Sequence, residues 1–77
     1  MYEAIDGTKI GKKINELRMK HGITETEMAK EIGISQSAMT MYECGKRIPR
    51  DEIKIKIASF FGLSVESIFY PRKQHEP

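Results

Sequence analysis

The sequence predicts an all-α fold, a compact bundle of five short helices in which the second and third are joined by a very short turn. Apolar residues recur at helical spacing in successive segments of the chain. Glycines and helix-capping residues separate those segments. Because 77 residues suffice for one domain at most, we expect a single domain over residues 1–77, with a core from about residue 9 to about residue 69 and short flexible ends.

The first two helices are each marked by an apolar stripe and a stop signal. The first is expected from about Lys9 to His21, before Gly22, and its inward residues at i, i+4 and i+7 are Ile10, Ile14 and Leu17. Thr24 and Glu27 form the capping-box pattern that opens the second helix, in which each side chain satisfies a backbone N–H of the other residue. Gly33 ends that helix, whose inward residues are Met28, Ala29 and Ile32.

The third helix is expected from about Gln36 to Glu43, with Ser35 as its cap and Gly45 as its stop. It is joined to the second helix by only "GIS", and so short a joint with a glycine forces the two helices to cross steeply, as in a helix-turn-helix. We call these two helices and their joint the corner. Small Ala29 permits a close crossing, and Gly33 permits the tight turn. The residues expected to fill the wedge behind it are Ile32, Ile34, Met39 and Tyr42.

The segment "DEIKIKIASFFG" is ambiguous, because "IKIKI" alternates with the period of a strand. A helix from about Asp51 to Phe61 is favoured by acidic residues in its first turn, by Gly62 as its stop, and by the spacing of Ile53, Ile57, Phe60 and Phe61. A lone strand would also have no partner. Ser64 caps a short fifth helix, "VESIFY", which Pro71 closes, and "RKQHEP" is expected to be a frayed tail.

The composition argues against several classes of function. A single cysteine, Cys44, rules out an intramolecular disulfide and a cysteine-based zinc site, and His21 and His75 are far apart, so we expect no metal. No apolar run resembles a signal peptide or a membrane span, and a free thiol without an export signal fits the cytoplasm. There is no Ser/His/Asp or Cys/His arrangement and no phosphate loop, so we expect no enzyme, no cofactor and no small-molecule ligand.

Charge and spacing together favour DNA binding. The net charge is only +2, but basic "KKINELRMKH" and "GKRIPR" flank acidic "TETEMAKE", a clustering that can produce one positive face. An ordinary mixed surface is equally compatible with the charge. The spacing A-x-x-x-G-I-S-x-x-x-M-x-x-Y favours a DNA-binding corner. A helical module that uses the same corner only for packing is the alternative.

The run "ITETEMAKEIGISQSAMTMYECGKRIPRDEIKIKIASFFGLSVESIF" resembles the Xre-type helix-turn-helix domain of phage Cro and repressor proteins, with its lambda repressor-like fold. The resemblance extends from about Ile10 to Phe69 and includes Arg18, the "GIS" joint, the "YE-x-GKR-x-P" loop and the "LSVESIF" helix. It implies a sequence-specific, repressor-like transcriptional regulator that binds double-stranded DNA with its third helix in the major groove.

The resemblance makes the third helix the recognition helix, and its outward side chains are Gln36, Ser37, Thr40 and Met41. Gln36 is the strongest candidate for base reading, since its amide can pair with adenine N6 and N7. Ser37 and Thr40 can bond a base edge or a phosphate. Met41 can pack on a thymine methyl group, or it can belong to a protein interface. We expect such a helix to make few hydrogen bonds to bases, to favour A·T-containing steps and to depend on DNA shape.

Phosphate contacts are expected from the helix ends and the loop, including backbone amides at the starts of the second and third helices. The candidate side chains are Thr24, Glu25, Ser35, Lys46 and Arg47. Glu25 departs from the family, which commonly has glutamine there to bond phosphate and to brace the base-reading glutamine. A carboxylate suits the helix dipole but repels a phosphate. DNA binding is therefore expected to be weaker, or the bracing is done differently.

Three further expectations follow from the resemblance. Arg18 and Glu43 form a partly buried ion pair that orients the recognition helix. The chain works as a homodimer on a two-fold operator with half-sites about 34 Å apart. The dimer surface lies on the fifth helix, where Ile68, Phe69 and Tyr70 offer apolar area, unless Phe69 simply closes the core of a monomer. The alternative function is a protein-interaction module, such as an antitoxin or adaptor subunit.

Overall fold

The computed structural model describes residues 7–70, which form five α-helices and no strand. The helices are α1 (Gly7–Lys20), α2 (Glu25–Ile32), α3 (Gln36–Cys44), α4 (Asp51–Phe61) and α5 (Val65–Phe69). The predicted all-α fold is confirmed, and every helix limit agrees with the prediction within two residues. The predicted flexible ends and the tail after Pro71 lie largely outside the described residues.

Local signals set the limits of the two corner helices. Thr24 Oγ1 accepts from the Glu27 N–H over 3.0 Å, and the Thr24 N–H donates to Glu27 Oε1 over 2.9 Å, so the predicted capping box is formed. Ser35 Oγ accepts from the Ala38 N–H at the start of α3. Gly33 ends α2 with a φ of +75°, in the left-handed region that glycine enters without a steric penalty.

The core lies behind the corner, where α3 packs against both α1 and α2. The other face of the molecule is closed by α4, which packs against α2 and α5, and α5 also packs against α1. The predicted wedge residues are in place, because Ile32, Met39 and Tyr42 are buried and Ile34 is half-buried against them. Removing these apolar side chains from water is the main force that holds the short helices together.

Glycines allow α1 and α3 to approach at backbone distance. A Cβ atom on Gly11 would lie 2.4 Å from the carbonyl oxygen of Glu43 and 2.6 Å from that of Tyr42. A Cβ atom on Gly7 would lie 2.7 Å from the Gly45 oxygen, and one on Gly45 would lie 2.8 Å from Thr8 Cα. Since real Cβ atoms do not approach other atoms so closely, any side chain at these positions would push α1 away from α3.

The prediction that Ile68 and Phe69 offer apolar area to a dimer partner is wrong. Ile68 and Phe69 are only 2% and 1% exposed, so Phe69 closes the core instead of offering apolar area to a partner. Tyr70 is half-buried and accepts a 2.5 Å hydrogen bond from the ammonium group of Lys54, which also lies 4.7 Å from the centre of the Tyr70 ring. Lys54 is itself buried, and its charge is compensated by the aromatic ring, by the hydroxyl group and by the Asp51 carboxylate 3.6 Å away.

Candidate nucleic-acid interface

The outer side of α3 carries the predicted base-reading residues. Gln36 and Ser37 are exposed in its first turn, and Thr40 and Met41 are half-buried one turn later. All four line one open cleft, together with neighbours on α3 and in the following loop. The complete lining is Ser35, Gln36, Ser37, Ala38, Thr40, Met41 and Arg47. The structure therefore brings the four predicted base-reading residues together, with Ser35 and Arg47 at the same surface.

The loop after α3 keeps its two cations next to this cleft. The N–H groups of Lys46 and Arg47 both donate to the Met41 carbonyl oxygen, over 3.0 Å and 3.4 Å. This pairing fixes the loop backbone against the last turn of α3 and leaves both side chains exposed. Arg47 lines the cleft, whereas Lys46 does not. The two cations are therefore placed to give positive charge at the C-terminal end of α3.

Two other predicted phosphate contacts, Thr24 and Ser35, are N-caps of α2 and α3. Each side-chain oxygen already accepts a backbone N–H of its own helix, so its hydroxyl proton and one lone pair remain, and the proton can be donated to a phosphate. The first N–H groups of a helix lack intrahelical partners and carry partial positive charge, which suits an anion. Ser35 lines the cleft, whereas Thr24 does not.

The carboxylate of Glu25 is directed at α3. Its Oε1 accepts a 2.7 Å hydrogen bond from Thr40 Oγ1, which joins the first residue of α2 to the second turn of α3. Glu25 also lies close enough to Arg18 for its negative charge to act on the guanidinium group. A carboxylate with these two partners is compensated within the protein. The sequence suggested that Glu25 changes how the base-reading residue of α3 is braced, but it did not identify Thr40 as the partner of Glu25.

Behind α3, Arg18 and Glu43 form a short ion pair. Arg18 Nε donates to Glu43 Oε2 over 2.7 Å, and Nη2 donates to Oε1 over 3.1 Å, so the contact is bidentate. The two side chains are 11% and 5% exposed. Asn15 Nδ2 adds a 3.0 Å hydrogen bond to Glu43 Oε1, and Arg18 Nη1 donates to the Ile23 carbonyl oxygen over 2.8 Å. The group links α1, the turn before α2, and α3.

The electrostatics of this pair favour two charged groups. The hydrogen bond to Glu43 raises the pKa of Arg18 against the opposing effect of burial, and the charges of Glu43 and Glu25 add to the rise. Burial by itself would raise the pKa of Glu43. Hydrogen bonds from Arg18 and Asn15, with the positive charge of Arg18, outweigh burial and hold that pKa below its ordinary value. Both groups are therefore charged at neutral pH.

Other kinds of site find little support in the part of the chain that the structure describes. Residues 7–70 contain no group of three or more His, Cys, Asp or Glu side chains able to hold a metal ion. His75 lies outside these residues. Cys44 is an exposed free thiol in the last turn of α3. Within the same residues, no helix is both long enough and apolar enough to cross a membrane.

Two short helices joined by a glycine turn, a cation-bearing loop after α3 and an ion pair behind α3 are typical of helix-turn-helix DNA-binding domains. Residues 14–68 match the family described as "Helix-turn-helix". The chain belongs to this family. It is 37% identical over 57 residues to a protein of Methanocaldococcus jannaschii named an uncharacterized HTH-type transcriptional regulator, covering 74% of this chain and 86% of that protein. The resemblance to Xre-type domains is thereby confirmed.

Solved structures share the fold. The restriction-modification controller protein C.AhdI of Aeromonas hydrophila superposes with a TM-score of 0.77 at 25% identity, covering 83% of this chain and 93% of that one. The P22 c2 repressor, solved in complex with a synthetic operator, superposes with a TM-score of 0.77 at 21% identity, covering 80% and 94%. Family and fold together identify the chain as a DNA-binding transcriptional regulator, as the sequence predicted.

Proposed function

We propose that this regulator is repressor-like and that α3 is its recognition helix, with the first turn lying in the major groove. It acts as a homodimer on a two-fold operator with half-sites about 34 Å apart. Since its proposed partner is double-stranded DNA, we place it in the cytoplasm, and we assign it no enzymatic activity, cofactor or small-molecule ligand.

The observation that carries this proposal is the cleft along the outer side of α3, where the four outward side chains of one helix meet Arg47. Gln36 is exposed in the first turn, the part of a recognition helix that reaches base edges, and its amide suits adenine. Ser37 and Thr40 offer short hydroxyl groups. Met41 offers an apolar contact for a thymine methyl group. The surface suits a site that is read by few hydrogen bonds and by DNA shape.

Phosphates on either side of the groove are met by groups that do not read sequence. Lys46 and Arg47 carry positive charge beside the end of α3, and Ser35 and Thr24 offer hydroxyl protons at the helix starts. The backbone N–H groups at the N-termini of α2 and α3 add partial positive charge. Such contacts fix the register of the protein on the duplex.

A dimer is supported by the small size of the reading surface. The recognition helix has nine residues, and only its outward positions reach the cleft. Single modules of this size bury too little DNA surface for tight specific binding, which is why such domains pair on palindromic sites. The burial of Ile68 and Phe69 means that the partner surface lies elsewhere than their side chains.

The proposal is tested by selecting duplexes from a pool with a randomised central stretch and then titrating the enriched duplex in band-shift experiments at two salt concentrations. We expect a two-fold sequence, bound by two chains, with an affinity that falls steeply as salt rises. The Arg47→Ala variant should weaken binding to every sequence and reduce the salt slope by about one. The Gln36→Ala variant should relax preference at one base position by about 1–3 kcal/mol.

Lys56→Ala is the matched control for Arg47→Ala, because it removes an exposed cation from α4, away from the cleft. It should leave the salt slope unchanged. Equal effects of the Lys56→Ala and Arg47→Ala variants would remove Arg47 from the interface. Failure to retain any duplex at low salt, together with co-purification of a second protein, would favour the alternative of an antitoxin-like or adaptor module.

A further inference from the structure

The hydrogen bond between Thr40 and Glu25 crosses from the recognition helix to the supporting helix. Thr40 Oγ1 and Glu25 Oε1 are 2.7 Å apart, within the range of a charge-assisted bond between a hydroxyl group and a carboxylate. Both residues are half-buried, so water competes only partly for the bond. Thr40 also lines the open cleft beside Gln36 and Met41. One hydroxyl group therefore belongs both to an internal bond and to the proposed DNA surface.

The direction of this hydrogen bond is fixed by chemistry. A threonine hydroxyl group has one proton to donate and two lone pairs to accept with, whereas an ionised carboxylate only accepts. A threonine inside a helix commonly donates its proton to the carbonyl oxygen four residues earlier. Here the proton is given to Glu25 instead. What remains on Thr40 Oγ1 is acceptor capacity alone.

Glu25 is held in this role from the other side. The guanidinium group of Arg18 lies near enough for its charge to attract the Glu25 carboxylate, while Arg18 itself is fixed by Glu43 and by the Ile23 carbonyl oxygen. Turning Glu25 toward a DNA phosphate would give up the bond to Thr40 and bring two negative charges together. The structure therefore favours an internal role for Glu25 over the phosphate contact expected for its position.

Bases differ in what they offer such an acceptor in the major groove, where only adenine and cytosine present a donor. Adenine N6 and cytosine N4 are amino groups and donate protons, whereas guanine O6, guanine N7 and thymine O4 only accept. An acceptor-only hydroxyl group can bond the first kind of base and is repelled by the second. A free threonine hydroxyl group, by contrast, can rotate to suit either kind.

We propose that Glu25 sets the base preference of the recognition helix through Thr40, by taking its hydroxyl proton and so selecting an amino base, adenine or cytosine, at the position Thr40 faces. This inference rests on the proposed function, since it requires α3 to lie in the major groove. Glu25 is a positioning residue, because it acts on the base through Thr40. Of these two residues, Thr40 is the one that contacts the base.

The inference is tested by repeating the duplex selection with the Thr40→Val, Thr40→Ser and Glu25→Gln variants of the full chain. The position at which the Thr40→Val substitution changes the base profile identifies the base that Thr40 faces. We expect the native protein to prefer adenine or cytosine there by about 5- to 10-fold, the worth of one net hydrogen bond. Thr40→Ser keeps the hydroxyl group and should keep the preference.

Glu25→Gln is the decisive variant. An amide can donate to Thr40 Oγ1 as well as accept from it, so the hydroxyl proton is released for DNA. We expect the preference for amino bases to fall to about 2-fold or less at this one position, with guanine and thymine gaining, while preferences elsewhere stay as in the native protein. Glu31→Gln, an equal loss of charge at an exposed position of α2, should leave the profile unchanged.

The possible results separate this inference from the proposed function. Native protein that retains no duplex overturns the proposed function and this inference with it. Native protein that selects a defined sequence but prefers guanine or thymine at the Thr40 position overturns only the inference. So does a Glu25→Gln profile identical to the native one, with both proteins showing cooperative thermal unfolding. Loss of the amino-base preference in both Thr40→Val and Glu25→Gln, with Thr40→Ser unaffected, supports it.

Discussion

Helix α3, the proposed recognition helix, is supported on two sides, and the two supports are built differently. On one side is the corner, where α3 meets α2 through a joint whose turn and caps are made by neighbours in sequence. On the other side is the α1–α3 contact, which we define as the backbone approach at Gly7, Gly11 and Gly45 together with the Arg18–Glu43 ion pair. In the α1–α3 contact every partner comes from a distant part of the chain.

The difference teaches which contacts set the orientation of α3. Caps and a glycine turn settle that two helices form and that the chain reverses between them. They leave freedom in the tilt of α3, because short helices are oriented mainly by what packs against them. The α1–α3 contact removes that freedom through backbone contact and a bidentate ion pair. Variants that damage it should change stability and DNA affinity without altering any residue of the DNA surface.

The largest expected effect comes from Arg18→Met, which leaves the buried Glu43 carboxylate without its cationic partner. An unpaired buried charge costs about 3–5 kcal/mol in unfolding free energy, to be measured by urea denaturation. Lys20→Met, at an exposed position of the same helix, should cost less than about 0.5 kcal/mol. Similar losses for the two variants would show that the ion pair contributes nothing special.

Gly11→Ala comes next. In most helices this change stabilises by about 0.5–1 kcal/mol, but here the new Cβ atom would lie 2.4 Å from the Glu43 carbonyl oxygen. We expect a loss of about 1–3 kcal/mol or more, because backbone cannot rotate out of the way as a side chain can. The control is Lys12→Ala, the exposed neighbour on α1, which should be nearly neutral. A stabilised Gly11→Ala variant would contradict the close approach of the two helices.

A matched pair of glycines compares the two supports directly. Gly33 in the corner and Gly45 in the α1–α3 contact have nearly the same φ, +75° and +80°. Replacing either with alanine costs about 1–2 kcal/mol for the left-handed conformation. Only at Gly45 does the added Cβ atom also meet a neighbour, Thr8, since nothing lies within 4 Å at Gly33. The melting temperature of Gly45→Ala should therefore be lower than that of Gly33→Ala, and the reverse order would contradict this comparison.

The smallest effect is a dependence on pH. Because the pKa of Glu43 is lower in the folded protein, its contribution to stability is complete above the unfolded-state glutamate pKa of about 4.3. The contribution is lost as the pH falls from there through the folded pKa. Melting temperatures between about pH 7 and about pH 3 should fall less steeply for Glu43→Gln than for the native protein. Parallel curves for the two proteins would show that Glu43 is not stabilised by Arg18.

Much of the fold could be predicted because its signals are local. The capping box of Thr24 and Glu27, the cap at Ser35 and the stop at Gly33 each act over two to four residues, so a sequence displays them in full. The outward register of Gln36, Ser37, Thr40 and Met41 follows from the helical period once Met39 and Tyr42 are assigned to the core. The same reasoning resolved the ambiguous α4, although it did not predict the burial of Lys54 under Tyr70.

The sequence does not reveal contacts between residues that are far apart in the chain. Nothing in the local sequence requires glycine at position 11. The requirement comes from the backbone of Glu43, 32 positions away, which leaves no room for a Cβ atom. Ile68 and Phe69 were predicted to lie on a dimer surface because their pattern fits an exposed apolar face as well as a core. The partner of Glu25 was open for the same reason, since a first-turn carboxylate can serve a helix dipole, a phosphate or a neighbouring hydroxyl group.

By itself the sequence determined the five helices, their limits, the sharp corner and the set of side chains that faces outward from α3. Caps, glycine stops and apolar periodicity depend on residues that are close in the sequence, so they depend little on the rest of the chain. Only the tertiary structure decided how closely α1 approaches α3, that Arg18 and Asn15 meet at Glu43, and that Glu25 takes the proton of Thr40. These are contacts between residues far apart in the chain, and they exist only after the core has closed and brought their partners within bonding distance.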